Sequence, residues 1–125
     1  MSKKILVVDD EKLVRDFNCA LLQRIGFSVE TAKNGKEALE KLVSDGHFTG
    51  IVTDIDMPEM SGIQLVQELN RNGRKYPIIL MSGDPCNKPL VNIIKYSGNW
   101  RYLDKPVDIH RFYEKAEELF GKAEE

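Results

Sequence analysis

Gly50-Ile51-Val52-Thr53-Asp54-Ile55-Asp56-Met57-Pro58-Glu59-Met60-Ser61-Gly62 contains a strand, a carboxylate at its end and a sharp re-entry into helix. Ile51 and Val52 form a short apolar run that ends in Thr53 and Asp54. Pro58 has no N–H to give to a neighbouring strand, so sheet pairing stops before it, and Gly62 permits a tight turn into the next apolar-periodic segment. Asp54 is therefore expected at the carboxyl end of a buried strand. It should face the crevice above the sheet, where ligands of open α/β sheets bind.

The chain before this segment repeats the pattern. Lys4-Ile5-Leu6-Val7-Val8 is continuously apolar after its lysine, as expected of a strand covered on both faces, and Asp9 and Asp10 end it. Leu13/Val14, Phe17, Leu21 and Ile25 then recur at helical spacing, with Gly26 placed to cap that helix. Phe27, Val29 and Thr31 alternate with Ser28 and Glu30, which predicts a half-buried edge strand. Asn34-Gly35 turns into a helix expected to carry Ala38, Leu39, Leu42 and Val43 inward and to stop at Gly46.

Beyond the central segment, Ile63, Val66 and Leu69 mark a third helix that Asn72-Gly73 ends. Pro77-Ile78-Ile79-Leu80-Met81 reads as another central strand, closing at Ser82-Gly83. Pro85 and Pro89 both oppose helix, so a short fourth helix is expected from about Leu90 to Tyr96, with Ile93 and Ile94 inward. Trp100-Arg101-Tyr102-Leu103 mixes polar and apolar residues as an edge strand does, and ends at Lys105-Pro106. Ile109, Phe112/Tyr113, Ala116 and Leu119/Phe120 form a closing amphipathic helix.

Five strands alternating with five helices specify an α/β fold: a parallel sheet with helices on both faces, a three-layer sandwich. Strands 1, 3 and 4 read as central, and the flavodoxin-like order 2-1-3-4-5 buries those three and leaves 2 and 5 at the edges. The switch point then lies between strands 1 and 3 and brings Asp9 and Asp10 beside Asp54. Residues 1–125 are expected to form one domain. With 18 basic against 20 acidic residues and a net charge of −2, no basic stripe suggests direct nucleic-acid binding. Apolar runs such as Ile5–Val8 fall far short of the ~20 residues of a membrane span, and no signal-peptide core follows Met1-Ser2-Lys3-Lys4. Cys19 and Cys86 have neither metal nor redox spacing and read as free thiols in a reducing cytoplasm.

Three carboxylates at adjacent strand ends repel one another, at about 4 kcal/mol per ionised pair for ~4 Å and an effective dielectric near 20. A shared proton or a cation relieves that repulsion, and a hard cation with few carboxylates and retained waters describes Mg²⁺. Ser82 adds a hydroxyl at the end of strand 4, and Lys105 an ammonium at the end of strand 5. Metal, carboxylate nucleophile, hydroxyl donor and lysine together meet the needs of phosphoryl transfer. Taken singly, each piece has a plainer reading: Asp-Asp before a helix as an N-cap, Asp before Met-Pro as turn chemistry. Their joint placement at the ends of strands 1, 3, 4 and 5 favours chemistry.

These residues also resemble the receiver domains of bacterial two-component response regulators. The similarity runs over essentially the whole chain, from Ile5-Leu6-Val7-Val8-Asp9-Asp10 through the central segment and Met81-Ser82-Gly83 to Tyr102-Leu103-Asp104-Lys105-Pro106. The resemblance implies a phosphorelay protein of the cytoplasm: Asp54 as phosphoacceptor, Asp10 as a direct Mg²⁺ ligand, Asp9 acting through water, and the Asp56 backbone carbonyl as a further ligand. Ser82, Gly83 and Lys105 would bind the phosphoryl oxygens, with Ser82 and Tyr102 as the switch pair. The donor would be a phosphohistidine on a sensor histidine kinase or histidine phosphotransfer protein, and the recipient of the signal a downstream effector protein or domain. Such a domain is no enzyme beyond catalysing its own phosphorylation and dephosphorylation. Asp56 and Asp84 stand at positions that govern dephosphorylation in the family, and Ser82 replaces the more frequent threonine.

The Lys105–Pro106 bond is expected to be cis. Lys105 must turn back toward Asp54 from an edge strand just before the last helix, and the resemblance implies the same. Two rivals remain. Asp54-Ile55-Asp56 literally meets the D-x-D motif of haloacid-dehalogenase-like phosphatases, although Met57 and the mid-chain location fit poorly. A plain binding module with an inert acidic cluster is the other.

Overall fold

In a computed structural model describing residues 3–92 and 95–124, β1 (Lys4–Val8), β2 (Ser28–Ala32), β3 (Phe48–Asp54), β4 (Ile78–Ser82) and β5 (Trp100–Asp104) alternate with five helices. These are α1 (Lys12–Arg24), α2 (Gly35–Ser44), α3 (Gly62–Arg71), α4 (Asn87–Asn92) and α5 (Ile109–Phe120). The strands form one parallel sheet in the order β2-β1-β3-β4-β5, the flavodoxin-like arrangement. β1, β3 and β4 are buried almost throughout, whereas β2 and β5 are half-buried edges.

Because strand side chains alternate between faces, each central strand feeds two cores. Ile5, Val7, Val52, Ile79 and Met81 meet Leu22, Phe112, Ala116 and Phe120 on one side. Leu6, Val8, Ile51, Ile78 and Leu80 meet Ala38, Leu42, Leu65, Val66 and Leu69 on the other. Truncating a fully buried member such as Ile79 or Leu80 to alanine should cost about 2–5 kcal/mol. Phe120 lies against the bare backbone of Gly50, where an added Cβ would stand 2.2 Å from its ring.

Local signals set the helix ends. Asn34 Oδ1 accepts from the Glu37 N–H at 2.8 Å and caps α2, and Asp108 caps α5 through the Arg111 N–H at 3.1 Å. Ser61 and Gln64 form a reciprocal capping box at the start of α3. Gly26, at φ 99°, turns the chain out of α1 and donates its N–H to the Gln23 carbonyl at 3.0 Å.

Three expectations need correction. α1 buries Asn18, Cys19, Leu21 and Leu22, while Leu13 is 84% exposed, Phe17 45% and Ile25 38%. The buried stripe is turned from the expected one by roughly one residue, ~100°. The polar Asn18 hid that stripe, and contact with the sheet selected it. On α2, Ala38 and Leu42 are buried but Val43 is 55% exposed. α4 spans Asn87–Asn92 rather than about Leu90 to Tyr96: Pro89 falls in its first turn, where a backbone N–H has no partner within the helix, and Lys95 and Tyr96 are not helical. Ile93 and Ile94 lie outside the described residues.

Candidate functional site

The register brings the strand ends level. Val8 pairs with Thr53, Asp54 with Met81, and Ser82 with Asp104, so Asp9, Asp54, Ser82 and Lys105 emerge at one end of the sheet. Lys105 Nζ lies 3.0 Å from Asp9 Oδ2 and 3.2 Å from Asp54 Oδ1. One carboxylate oxygen from each of Asp9, Asp10 and Asp54 falls within 4.8 Å of the others. Asp9 and Asp54 are buried and Asp10 is exposed, which leaves the cluster one open side.

Neighbouring backbone holds these side chains. Asp9 Oδ1 accepts from the Glu11 N–H at 2.9 Å, and its carbonyl accepts from Arg15 at 2.8 Å. The N-cap of α1 is Glu11, so neither Asp9 nor Asp10 serves as that cap. Asp54 is fixed from behind: a Cβ at Gly62 would lie 2.4 Å from the Asp54 carbonyl oxygen, so only glycine lets α3 start so close to the strand. Lys105 is tied to β4 by its N–H, which donates to the Ser82 carbonyl at 2.9 Å, and the Lys105–Pro106 bond is cis.

Burial pushes the Asp54 carboxyl up to about 6; the Lys105 ammonium opposes this, and the charges of Asp9 and Asp56 add to it. Burial alone would lower the Lys105 pKa, but hydrogen bonds and charge from Asp9 and Asp54 outweigh it and the net shift is upward. The carboxylates thus keep an excess of negative charge that a single lysine does not cancel. The cluster's ligand atoms are hard carboxylate oxygens, and one side is open to water, a donor set that fits Mg²⁺.

A second group adjoins the first. Ser82 Oγ donates to Asp56 Oδ2 at 3.1 Å and accepts from the Asp84 N–H at 3.0 Å. Asn87 Nδ2 donates to Asp56 Oδ2 at 2.9 Å and to Ser82 Oγ at 2.8 Å. The Asp56 carboxylate therefore turns toward β4 and α4, and it is not one of the three clustered carboxylates. Gly83 is exposed beside Lys105. Tyr102 is half-buried, and its hydroxyl is sunk near Asp104 and Ser82 without a well-formed hydrogen bond to either. Burial, then the charge of Asp104, raises the Tyr102 pKa.

Asn87 is the site residue that sequence reasoning missed. It is a lone asparagine between two prolines, and its partners come from the loop after β3 and from the end of β4. On the other flank, the exposed Leu13 and Phe17 line an open cavity of about 580 Å³ together with Asn18, Met81, Lys105 and Pro106.

With this geometry, residues 5–117 match the response regulator receiver domain family. The chain belongs to that family. It is 33% identical over 121 residues to the chemotaxis protein CheY1 of Helicobacter pylori, covering 94% of this chain and 97% of that one. It is 31% identical over 123 residues to the response regulator MprA of Mycolicibacterium vanbaalenii, covering 98% of this receiver domain and 52% of that protein. Among solved structures, the response regulator TrrA of Thermotoga maritima, in complex with Mg²⁺ and BeF, superposes with a TM-score of 0.82. The two are 31% identical, with 94% of this receiver domain and 98% of that chain covered. No helix among the described residues of the receiver domain is long and apolar enough to cross a membrane.

Proposed function

We propose that this receiver domain works as a phosphorylation-dependent switch in which Asp54 accepts a phosphoryl group from a phosphohistidine. The donor is a sensor histidine kinase or a histidine phosphotransfer protein of the cytoplasm. The observation that carries this reading is the convergence of Asp9, Asp10 and Asp54 at the switch point, with Lys105 bridging the two buried members.

Asp54 attacks the phosphorus in line. A P–O bond forms to its carboxylate while the P–N bond breaks, and the imidazole, protonated on its other nitrogen, departs neutral. Lys105 moves its hydrogen bonds from the carboxylates to a phosphoryl oxygen, Ser82 donates to another, and the backbone at Gly83 lies beside them. Asp10 and Asp54 would hold Mg²⁺ directly, the Asp56 carbonyl would be a further ligand, and Asp9 would act through water. Bound Mg²⁺ supplies positive charge for the oxygens on which negative charge develops. The Leu13–Phe17 groove opens beside Lys105 and suits the apolar flank of the donor protein, which must bring its histidine to Asp54.

The output follows from Ser82. Its movement toward Asp54 empties space between β4 and β5 beside Tyr102, and the surface of α4, β5 and α5 responds and signals to a downstream effector protein or domain. The Tyr102 hydroxyl is already buried before phosphorylation, so Ser82 rather than the ring makes the first move. The phosphatase alternative would use Asp56 as a proton donor, and the engagement of that carboxylate by Ser82 and Asn87 weighs against it.

The test is incubation with Mg²⁺ and either a phosphohistidine protein or phosphoramidate. An acyl phosphate that hydroxylamine releases is expected on Asp54, with a change in Trp100 fluorescence. Undiminished labelling of Asp54→Asn, or steady release of phosphate from a generic phosphomonoester, would overturn the reading.

A further inference from the structure

Four contacts converge on Ser82 Oγ and use all of its hydrogen-bonding capacity. A hydroxyl has one hydrogen and two lone pairs. Here the hydrogen faces the nearer of two acceptors, Asp56 Oδ2 at 3.1 Å rather than the Asp84 carbonyl at 3.4 Å, and the lone pairs accept from the Asp84 N–H and from Asn87 Nδ2. Among the described residues, no hydrogen bond joins Ser82 to Asp54. Asn87 is only 7% exposed, and both hydrogens of its amide are used, one on Ser82 and one on Asp56. The orientation of that amide is set by chemistry, because an ionised carboxylate accepts and never donates, so nitrogen must face Asp56.

We infer that Asn87 is a positioning residue that latches Ser82 onto Asp56 and so holds the receiver domain in its unphosphorylated arrangement. The inference rests on the reading that Ser82 serves a phosphoryl group on Asp54. To do so, Ser82 must withdraw its hydrogen from Asp56, and the Asn87 amide then loses one of its two acceptors. A buried donor left without an acceptor is unfavourable, so Asn87 biases the equilibrium toward the resting state. Asn87 is also the first residue of α4, and its own N–H donates to the Asp84 carbonyl at 3.0 Å, which closes the loop after Ser82 on itself. Release of Ser82 therefore unties the first turn of α4, and the latch joins the chemistry to the output face.

The experiment measures binding of beryllium fluoride with Mg²⁺ by calorimetry, together with the rate of labelling by phosphoramidate. Asn87→Leu keeps the volume of the side chain and removes both donors; Asn87→Ala removes them and leaves a gap. Each should tighten beryllium fluoride binding about tenfold, the equivalent of ~1.4 kcal/mol, and speed labelling by phosphoramidate. On a Ser82→Ala background the same substitutions should change affinity less than twofold, which a general loosening of α4 would not achieve. Unchanged or weaker binding in both Asn87 variants would overturn the latch, and weaker binding would make Asn87 a phosphoryl contact instead. If the wild type bound beryllium fluoride and Asp54→Asn abolished it while the Asn87 variants behaved like wild type, the latch alone would fail. Binding that survived Asp54→Asn would bring down the phosphoacceptor reading and the latch with it.

Discussion

The two sides of the site are built differently. On the β1–β3 side, Asp9 and Asp54 stand at the ends of strands buried almost throughout, carry charge, and are bridged by one lysine. On the β4–α4 side, Ser82, Asp56 and Asn87 form a saturated hydrogen-bond set whose outer member sits on a six-residue helix containing a proline. The first side is carried by central strands and keeps an excess of negative charge that one lysine does not cancel. The second is satisfied in its bonds and shallowly anchored, as suits a part that has to rearrange. Reactivity resides where charge is uncompensated, and responsiveness where the packing is thinnest.

Four results would break or sharpen this contrast. The largest effect belongs to Lys105→Met, which leaves two buried carboxylates facing each other. It should cost about 2–4 kcal/mol in denaturant unfolding without Mg²⁺ and recover much of that when Mg²⁺ is added. A loss no greater than that of a surface lysine would mean that the charged side is not held by this bridge.

Next comes the pH dependence of stability. The Asp54 carboxyl is raised in the folded state, so between the ordinary aspartate range and about 6 the native protein binds more protons than the unfolded chain. Stability contributed by protonated Asp54 should therefore fall as pH rises through that window and be absent above it. The shift is equivalent to at most about 3 kcal/mol, and discounting for solvent screening leaves about 1–2 kcal/mol. Asp54→Asn should be more stable than wild type by that amount at pH 7.5 without Mg²⁺. Equal unfolding curves for the two proteins at both pH 4 and pH 7.5 would contradict it.

A smaller effect is expected for Phe17→Asp. Transfer from a phosphohistidine protein should slow about tenfold, ~1.4 kcal/mol, while labelling by phosphoramidate stays unchanged. Equal slowing with both donors would place the damage in the chemistry rather than in the groove. The smallest belongs to Asp56→Asn, whose Oδ1 can still accept from Ser82 and Asn87. Stability should change by no more than about 0.5–1 kcal/mol, and a larger loss would mean that the second side depends on charge after all.

The strands were legible because each signal is local. A continuous apolar run such as Ile5–Val8 has only one comfortable environment, and an aspartate, serine or lysine at its end marks the crevice. The helix faces were less legible. In α1, apolar residues surround more than half of the circumference, so spacing alone allowed a stripe through Leu13 and Phe17, whereas the sheet buries the one through Asn18 and Leu22. The start of α4 was misjudged because a proline opposes helix only beyond the first turn, and which turn it occupies depends on the loop before it.

By itself, the sequence determined the parallel sheet, its order, and the arrival of Asp9, Asp10, Asp54, Ser82 and Lys105 at one end of it. These follow from periodicity and strand-end chemistry, which act over a few neighbouring residues, and from the handedness of βαβ units. Only the tertiary structure decided that Lys105 bridges Asp9 and Asp54, that Asp56 turns away toward Ser82, and that Asn87 fastens the two. Those contacts join residues as far as 96 positions apart, and their geometry depends on strand register and loop closure rather than on any local preference.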